Sequence, residues 1–200
     1  MTETNERRAD WEQRYEQGRT HWDRGEASAA LRAWLAVGAM PKGRVLVPGC
    51  GNGHEVVELV RYGCDVTAVD IADQPVARLR EQLAAEGLEA HVVQADLLSW
   101  RPEQPFAAIY EQTCLCALDP LHWKAYELRL ATWLEPGAPL FALFMQTGAE
   151  GGPPFDCPIE RMRELFEDVR WQWPDEFGRI PHPAGFHEEA AMLVRRAEGR

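Results

Sequence analysis

The sequence predicts an α/β fold: a mostly parallel sheet with helices on both faces. Short apolar runs alternate with amphipathic stretches from Val45 to Met145, a glycine-rich turn follows the first run, and acidic residues mark the ends of the next three. Such alternation implies crossover connections between parallel strands. It also places a ligand crevice at the carboxyl ends of the strands, where the sheet order reverses.

Ahead of the sheet, Asp10 to Gly18 is predicted as a short helix with Trp11, Arg14 and Tyr15 on one face, ended by Gly18. Thr20-His21-Trp22-Asp23 then turns, and Ala27 to Val37, rich in Ala and Leu, forms a second helix that stops before Gly38 and Pro41. Val45 to Val47 is a continuous apolar run, the pattern of a parallel strand covered on both faces. Glu55 to Arg61 follows as a helix running to Gly63, Val66 to Val69 as a strand, Pro75 to Glu86 as a helix, and His91 to Gln94 as a third strand with Asp96 just beyond. Phe106 to Tyr110 makes the fourth strand, His122 to Leu134 a helix closed by Pro136-Gly137, and Leu140 to Met145 the fifth strand. The remainder is less regular: a loop at Gly151 to Phe155, a helix from Ile159 to Phe166, and short strands near Val169 to Trp173 and Ala191 to Arg195. Phe177 to Phe186, interrupted by prolines and glycines, reads as a loop whose path the pattern does not fix.

Three glycines in Gly49-x-Gly51-x-Gly53 allow a sharp turn after a strand and expose backbone amides to a ligand. Asp70 falls about 20 residues later, where a βαβ unit places a carboxylate for ribose hydroxyls. A nicotinamide fingerprint wants its third glycine where His54 stands, which disfavours a pyrophosphate ligand. The geometry suits S-adenosyl-L-methionine, with S-adenosyl-L-homocysteine as product.

Two hundred residues fit one domain spanning 1–200, large enough for a substantial core. A composition of 46% hydrophobic and 26% charged residues is that of a globular protein, and the longest apolar stretch, Ala138 to Met145, is too short to span a bilayer. The start, Met1 to Arg8, lacks the apolar core of a secretory signal, so a cytoplasmic protein with no membrane partner is expected. A net charge of −11 opposes binding to phosphate backbones, which excludes nucleic acid as an expected partner. Cys50, Cys64, Cys114, Cys116 and Cys157 show no paired spacing and read as reduced thiols; Cys114 and Cys116 are expected to pack one side of an extended segment. No His and carboxylate cluster has metal-ligand spacing, so no metal is expected. His54 reads as a helix-surface residue, and His182 and His187 as solvated loop histidines.

Five blocks, in order, carry a family resemblance: Trp11-x-x-Arg14-Tyr15-x-x-Gly18-x-Thr20-x-Trp22-Asp23; Val45 to Glu55; Val69-Asp70-Ile71; Ile109-Tyr110-Glu111-Gln112-x-x-Leu115-Cys116-Ala117-Leu118; and Gly151-Gly152-Pro153-Pro154-Phe155. Over nearly its whole length the chain resembles the thiopurine S-methyltransferases together with the halide and thiol methyltransferases. The resemblance implies a Rossmann-like class I methyltransferase fold with a seven-stranded sheet, and a helical cap at 1–40 that closes over the cofactor. It implies cofactor contacts from Trp11, Trp22, Gly49, Gly51, Asp70, Ile71, Asp96, Leu97 and Glu111. An indole face beside a sulfonium also makes physical sense. The bland alternatives are that Trp11 and Trp22 only pack the cap, that Asp96 only caps a turn, and that Glu111 is a surface carboxylate. Thiopurine-active mammalian members carry an arginine where this chain has Gln112, and Thr113 to Leu118 is closer to the halide and thiol branch.

The expected activity is methyl transfer to a small thiol or related soft nucleophile: thiol, bisulfide, halide, tellurite or thiopurine. Trp22, Gln112 and Phe155 are expected to line the acceptor pocket, with no catalytic base assigned. A nicotinamide-dependent oxidoreductase and a non-catalytic cofactor-binding protein are the competing readings. The chain is expected to act as a monomer or small homo-oligomer.

Overall fold

The structure, a computed structural model, describes residues 2–197; the ends of the expected 1–200 domain lie outside the described residues. The first helix, α1, runs Glu3–Glu16, longer than the pattern predicts because Thr2 caps it and the side-chain oxygen accepts from the Asn5 amide. Next come α2 (Ala29–Ala36), β1 (Arg44–Pro48), α3 (His54–Tyr62), β2 (Asp65–Asp70), α4 (Asp73–Glu86) and β3 (His91–Gln94). Pro75 sits in the first turn of α4, where its missing N–H has no helical partner to lose, so the helix starts two residues ahead of it. Then follow β4 (Ala108–Gln112), α5 (Trp123–Trp133), β5 (Pro139–Gln146), α6 (Ile159–Leu165), β6 (Trp171–Gln172), β7 (Gly178–Pro181) and β8 (His187–Arg195).

Seven strands lie in the order β3-β2-β1-β4-β5-β8-β6, and β7 adds to the sheet by pairing with β8. Pairings from β3 through β5 are parallel, and β8 runs antiparallel to β5, β6 and β7. The order reverses between β1 and β4, which opens the crevice at their carboxyl ends. Alternation along the strands supplies two cores. Val45, Val47, Ala108 and Tyr110 pack against α2, α3 and α4, whereas Leu46, Ile109 and Ala142 pack against α5 and α6.

Three local expectations are corrected. The fourth strand starts at Ala108, not Phe106, because the Phe106 amide and carbonyl are bonded to Trp133 and Glu135 at the end of α5. Glu111 and Gln112 are therefore the last residues of β4 itself. The stretch 177–186 is not wholly loop: Gly178–Pro181 forms β7, an edge strand on the first half of β8, with Pro181 at its end, where a proline costs no ladder bond. Cys114 and Cys116 do not share one side of an extended segment, since Leu115–Ala117 is a 3₁₀ turn.

Gly53 caps α3 with φ +77°, and a Cβ there would fall 2.3 Å from Leu79 Cδ1 of α4. Both the backbone conformation and the close helix packing demand glycine. Gly53→Ala is expected to lower unfolding free energy by about 2–4 kcal/mol, read from urea midpoints. A loss under about 0.5 kcal/mol would show that Leu79 yields freely.

Candidate cofactor and acceptor cleft

The crevice at the strand ends is a cavity of about 370 Å³, within the range of small-ligand sites. Gly49, Gly51 and Gly53 form its floor, with Asp70 and Ile71 after β2 and Asp96 and Leu97 after β3. Asp70 is buried, and each carboxylate oxygen accepts one backbone amide at 2.9 Å, from Gly51 to Oδ2 and from Ala72 to Oδ1. Burial raises its pKa against the lowering effect of those bonds. Each oxygen keeps lone-pair capacity toward the cleft. A Cβ on Gly51, at φ +51°, would fall 3.2 Å from the Tyr15 hydroxyl, so glycine here lets the cap come down onto the loop.

Of the 1–40 segment expected to close over the cofactor, α1 and the 19–26 loop line the cleft, whereas α2 packs into the sheet core through Ala30 and Leu31. Trp22 meets Trp11 edge-on at 5.4 Å and Tyr15 at 5.7 Å, and the Arg14 guanidinium stacks over Trp11 at 5.1 Å. Polar contacts along its length hold this cap, two sets of them on residues of the cleft floor. At one end Arg7 and Thr4 donate to Asp96 Oδ2 at 2.6 and 2.7 Å, while the Leu98 amide donates to Oδ1 at 3.0 Å. Asp96 therefore caps the turn after β3 and also lines the cleft. Burial raises its pKa, but the bonds from Thr4, Arg7 and Leu98 hold it below the usual carboxylate range on balance. At the other end Asp23 binds the side chains of Asn52 and His54, the latter at 2.8 Å. His54 thus faces the cap and lines the cleft; it is not a surface residue of α3.

Away from the nucleoside floor, Gln112, Thr113, Cys116 to Leu118, Met145, Pro153 and Pro154 form a second, more apolar end. The Gln112 side chain is oriented from both sides: Tyr110 Oη donates to its Oε1 at 2.8 Å, and its Nε2 donates to Glu188 at 3.3 Å, leaving one amide N–H uncommitted. Arg24 reaches from the cap to the Pro181 carbonyl and to Glu188, both at 2.5 Å. His182 is buried rather than solvated; burial and the neighbouring Arg24 push its pKa down to about 4, which keeps the imidazole neutral.

Two expected site residues stand outside the cleft. Glu111 is 1% exposed and points to the opposite face of β4 from Gln112, where it accepts from the Leu115 amide at 2.7 Å. Phe155 packs on the α5 and α6 core, and its amide donates to the Cys116 carbonyl; Pro153 and Pro154 take the wall position instead. Trp11, Trp22, Gly49, Gly51, Asp70, Ile71, Asp96, Leu97 and Gln112 all line one cavity. Arg24 and Glu188 carry no signal in their own segments, because they meet only through the fold. Asp23 and Tyr15 lie in the first block of the family resemblance, and nothing in their own segments gives them a role. Among the described residues no group of three or more His, Cys, Asp or Glu side chains could hold a metal ion, and no helix is long and apolar enough to cross a membrane.

Burial, partly offset by the Leu115 amide, pushes the Glu111 carboxyl up to about 7. A carboxyl raised in the folded state stabilises fully below its unfolded value, about 4.3, and loses that contribution as pH rises through the folded value. Melting temperature is thus expected to fall across that window, and Glu111→Gln is expected to shrink the fall in thermal scans. An unchanged slope would remove Glu111 as its source.

The donor set fits the nucleoside expected from the sequence: a glycine floor, a buried carboxylate with spare acceptor capacity and three aromatic rings converge on one cavity. Residues 6–175 match the thiopurine S-methyltransferase family. Thiocyanate methyltransferase 1 of Arabidopsis thaliana is 30% identical over 162 residues, which cover 80% of this chain and 71% of that protein. Thiopurine S-methyltransferase of Legionella pneumophila (strain Paris) is 27% identical over 170 residues, covering 76% and 77%. The fold is shared with magnesium protoporphyrin IX methyltransferase of Synechocystis, solved with bound S-adenosylmethionine, at TM-score 0.75 and 16% identity over 98% of each chain. It is shared also with the Burkholderia thailandensis 1,6-didemethyltoxoflavin N1-methyltransferase, at TM-score 0.74 and 21% identity over 95% of this chain and 87% of that one. Since the family match runs through the cap, the glycine loop and the wall after β4, this chain belongs to the thiopurine S-methyltransferase family.

Proposed function

We propose that the chain is an S-adenosylmethionine-dependent S-methyltransferase acting on small thiols or related soft nucleophiles. The observation that carries this reading is the convergence, in one cavity, of the Gly51–Asp70 clamp with an indole-bearing cap. Asp70 would take the ribose hydroxyls on its spare lone pairs, Ile71 and Leu97 would flank the adenine, and Asp96 would lie beside its amine. Trp11 and Trp22 would face the methionine end, where an electron-rich ring favours a cation. Glu111 acts from behind the wall, fixing the turn that presents Cys116 to Leu118 to the cleft. Reduced buried thiols are consistent with a cytoplasmic setting.

When bound, the cofactor supplies a methyl group on an already positive sulfur. What remains for the protein is alignment of the acceptor and exclusion of water. The apolar end of the cleft strips water from a soft nucleophile, and the uncommitted N–H of Gln112 gives it a direction. A nicotinamide-dependent oxidoreductase is not favoured, because the family match and the position of His54 both point elsewhere.

Calorimetry with S-adenosylhomocysteine and a labelled-methyl assay over thiols, bisulfide, halides, thiopurines and tellurite test the proposal together. Asp70→Ala is expected to weaken S-adenosylhomocysteine binding about ten- to hundredfold, the worth of charge-assisted hydrogen bonds. Gln112→Ala is expected to lower turnover about tenfold while cofactor affinity stays within about twofold. Equal losses in both would remove Gln112 from the acceptor side, and binding with no methylation of any acceptor would make the chain a cofactor-binding protein.

A further inference from the structure

Resting on that reading, we propose that Arg24 and Glu188 form a charge-reading corner of the acceptor subsite. The pair is neutral when Glu188 is ionised and net cationic when Glu188 is protonated, and the cationic form favours an anionic acceptor over a neutral thiol.

The geometry is unusual for a cap anchor. Arg24 comes from the cap and lines the cleft with only 15% of its side chain exposed, yet its partner Glu188 is wholly buried on β8. Glu188 stands opposite Met145 of β5, itself a cleft residue, and accepts from Gln112, so the pair sits beside the acceptor end. Glu188 Oε2 accepts from both Arg24 and Gln112, whereas Oε1 is buried with no partner. A buried carboxylate with one oxygen unsatisfied is costly in its charged form and much less so when protonated.

The groups around Glu188 act in opposite directions: burial and Glu55 disfavour its charge, while Arg24 and Gln112 favour it. Glu55 of α3 and Glu111 of β4 are acidic neighbours, Tyr110 of β4 and Cys116 of the 3₁₀ turn are buried and uncharged, and Arg24 is the cation. Burial outweighs Arg24 and leaves the Glu188 carboxyl at about 7. His182, on the β7–β8 turn, faces Arg24 without adding charge: its Nδ1 accepts from the Ala184 amide, which puts the neutral ring's proton on Nε2. Loss or gain of one proton at Glu188 therefore changes the formal charge of this corner by one unit next to Gln112. In a cavity shielded from water, such a charge acts strongly on a small ion.

Iodide and thiocyanate keep their charge across neutral pH and serve as anionic probes; 2-mercaptoethanol is the neutral reference. The wild-type KM for both anions is expected to rise about tenfold from about pH 6 to pH 8, as Glu188 ionises and neutralises Arg24. Glu188→Gln is expected to hold the anion KM low at both pH values. Arg24→Gln should raise the anion-to-thiol KM ratio about tenfold at pH 6, and Arg24→Lys should raise it less. Should Arg24→Gln not fold, Arg24→Lys and Glu188→Gln carry the test.

A Glu188→Gln enzyme that keeps the wild-type pH dependence would overturn the proposal, as would Arg24 variants that move both acceptors by one factor. Thiocyanate binding to the S-adenosylhomocysteine complex, read by calorimetry, reports the same pH dependence without turnover. Absence of any methylation would thus count against the S-methyltransferase reading alone, while a flat thiocyanate affinity would count against the charge-reading pair.

Discussion

The Asp70 carboxylate, holding the Gly51 and Ala72 amides, is the constraint on which the cleft depends. One side chain ties the loop after β1 to the end of β2 and to the entrance of α4. It fixes the distance between the ends of β1 and β2, next to the point where the sheet order reverses, and it does so while keeping acceptor capacity on a ligand-facing carboxylate. Buried Asp70 is held by amides rather than by a cation, so the floor gains order without a positive charge that would repel a sulfonium. The glycine at position 51 completes the arrangement by letting Tyr15 descend to the loop.

Above that floor lies the cap, and its two ends are held by different chemistry. The Arg7–Asp96 contact joins α1 to the end of β3 and is an ion pair supported by Thr4 and by a backbone amide. The Asp23 contacts join the cap loop to the glycine turn and the start of α3. Between them, Trp11, Tyr15 and Trp22 present edges and faces in T-shaped pairs, an arrangement that buries area without needing a directional bond. Arg7, Asp96, Asp23, Asn52 and His54 also line the cleft, so the residues that hold the cap are themselves walls of the cavity. The far end is different in kind: Arg24, Gln112 and Glu188 share one polar corner at the edge of an apolar wall.

Much of the fold could be read from local pattern. β1 announces itself as a continuous apolar run because both faces are covered, β2 as a run broken only by Thr67, and the glycine spacing with Asp70 is a short-range signal. The cap aromatics and the acidic end of β3 were legible through the blocks they share with related chains. Glu111 misled because β4 continues to Gln112: alternation in a strand sends adjacent residues to opposite faces, so only one of the two could reach the cleft. β7 was hidden by Pro181 and Gly178, which read as breakers though an edge strand tolerates them. Arg24 and Glu188 lie 164 residues apart, and nothing in their surroundings marks them as partners. His54 shows the same limit, since its partner Asp23 comes from the cap and not from α3.

The most direct measurement is a crystal structure of the chain with S-adenosylhomocysteine. Electron density is expected to place both ribose hydroxyls on Asp70, the adenine between Ile71 and Leu97, and the thioether sulfur beneath the Trp11 and Trp22 rings. An adenosine bound away from the Gly51–Asp70 clamp, or a sulfur pointing to solvent with the indoles turned aside, would contradict this assignment of the cleft.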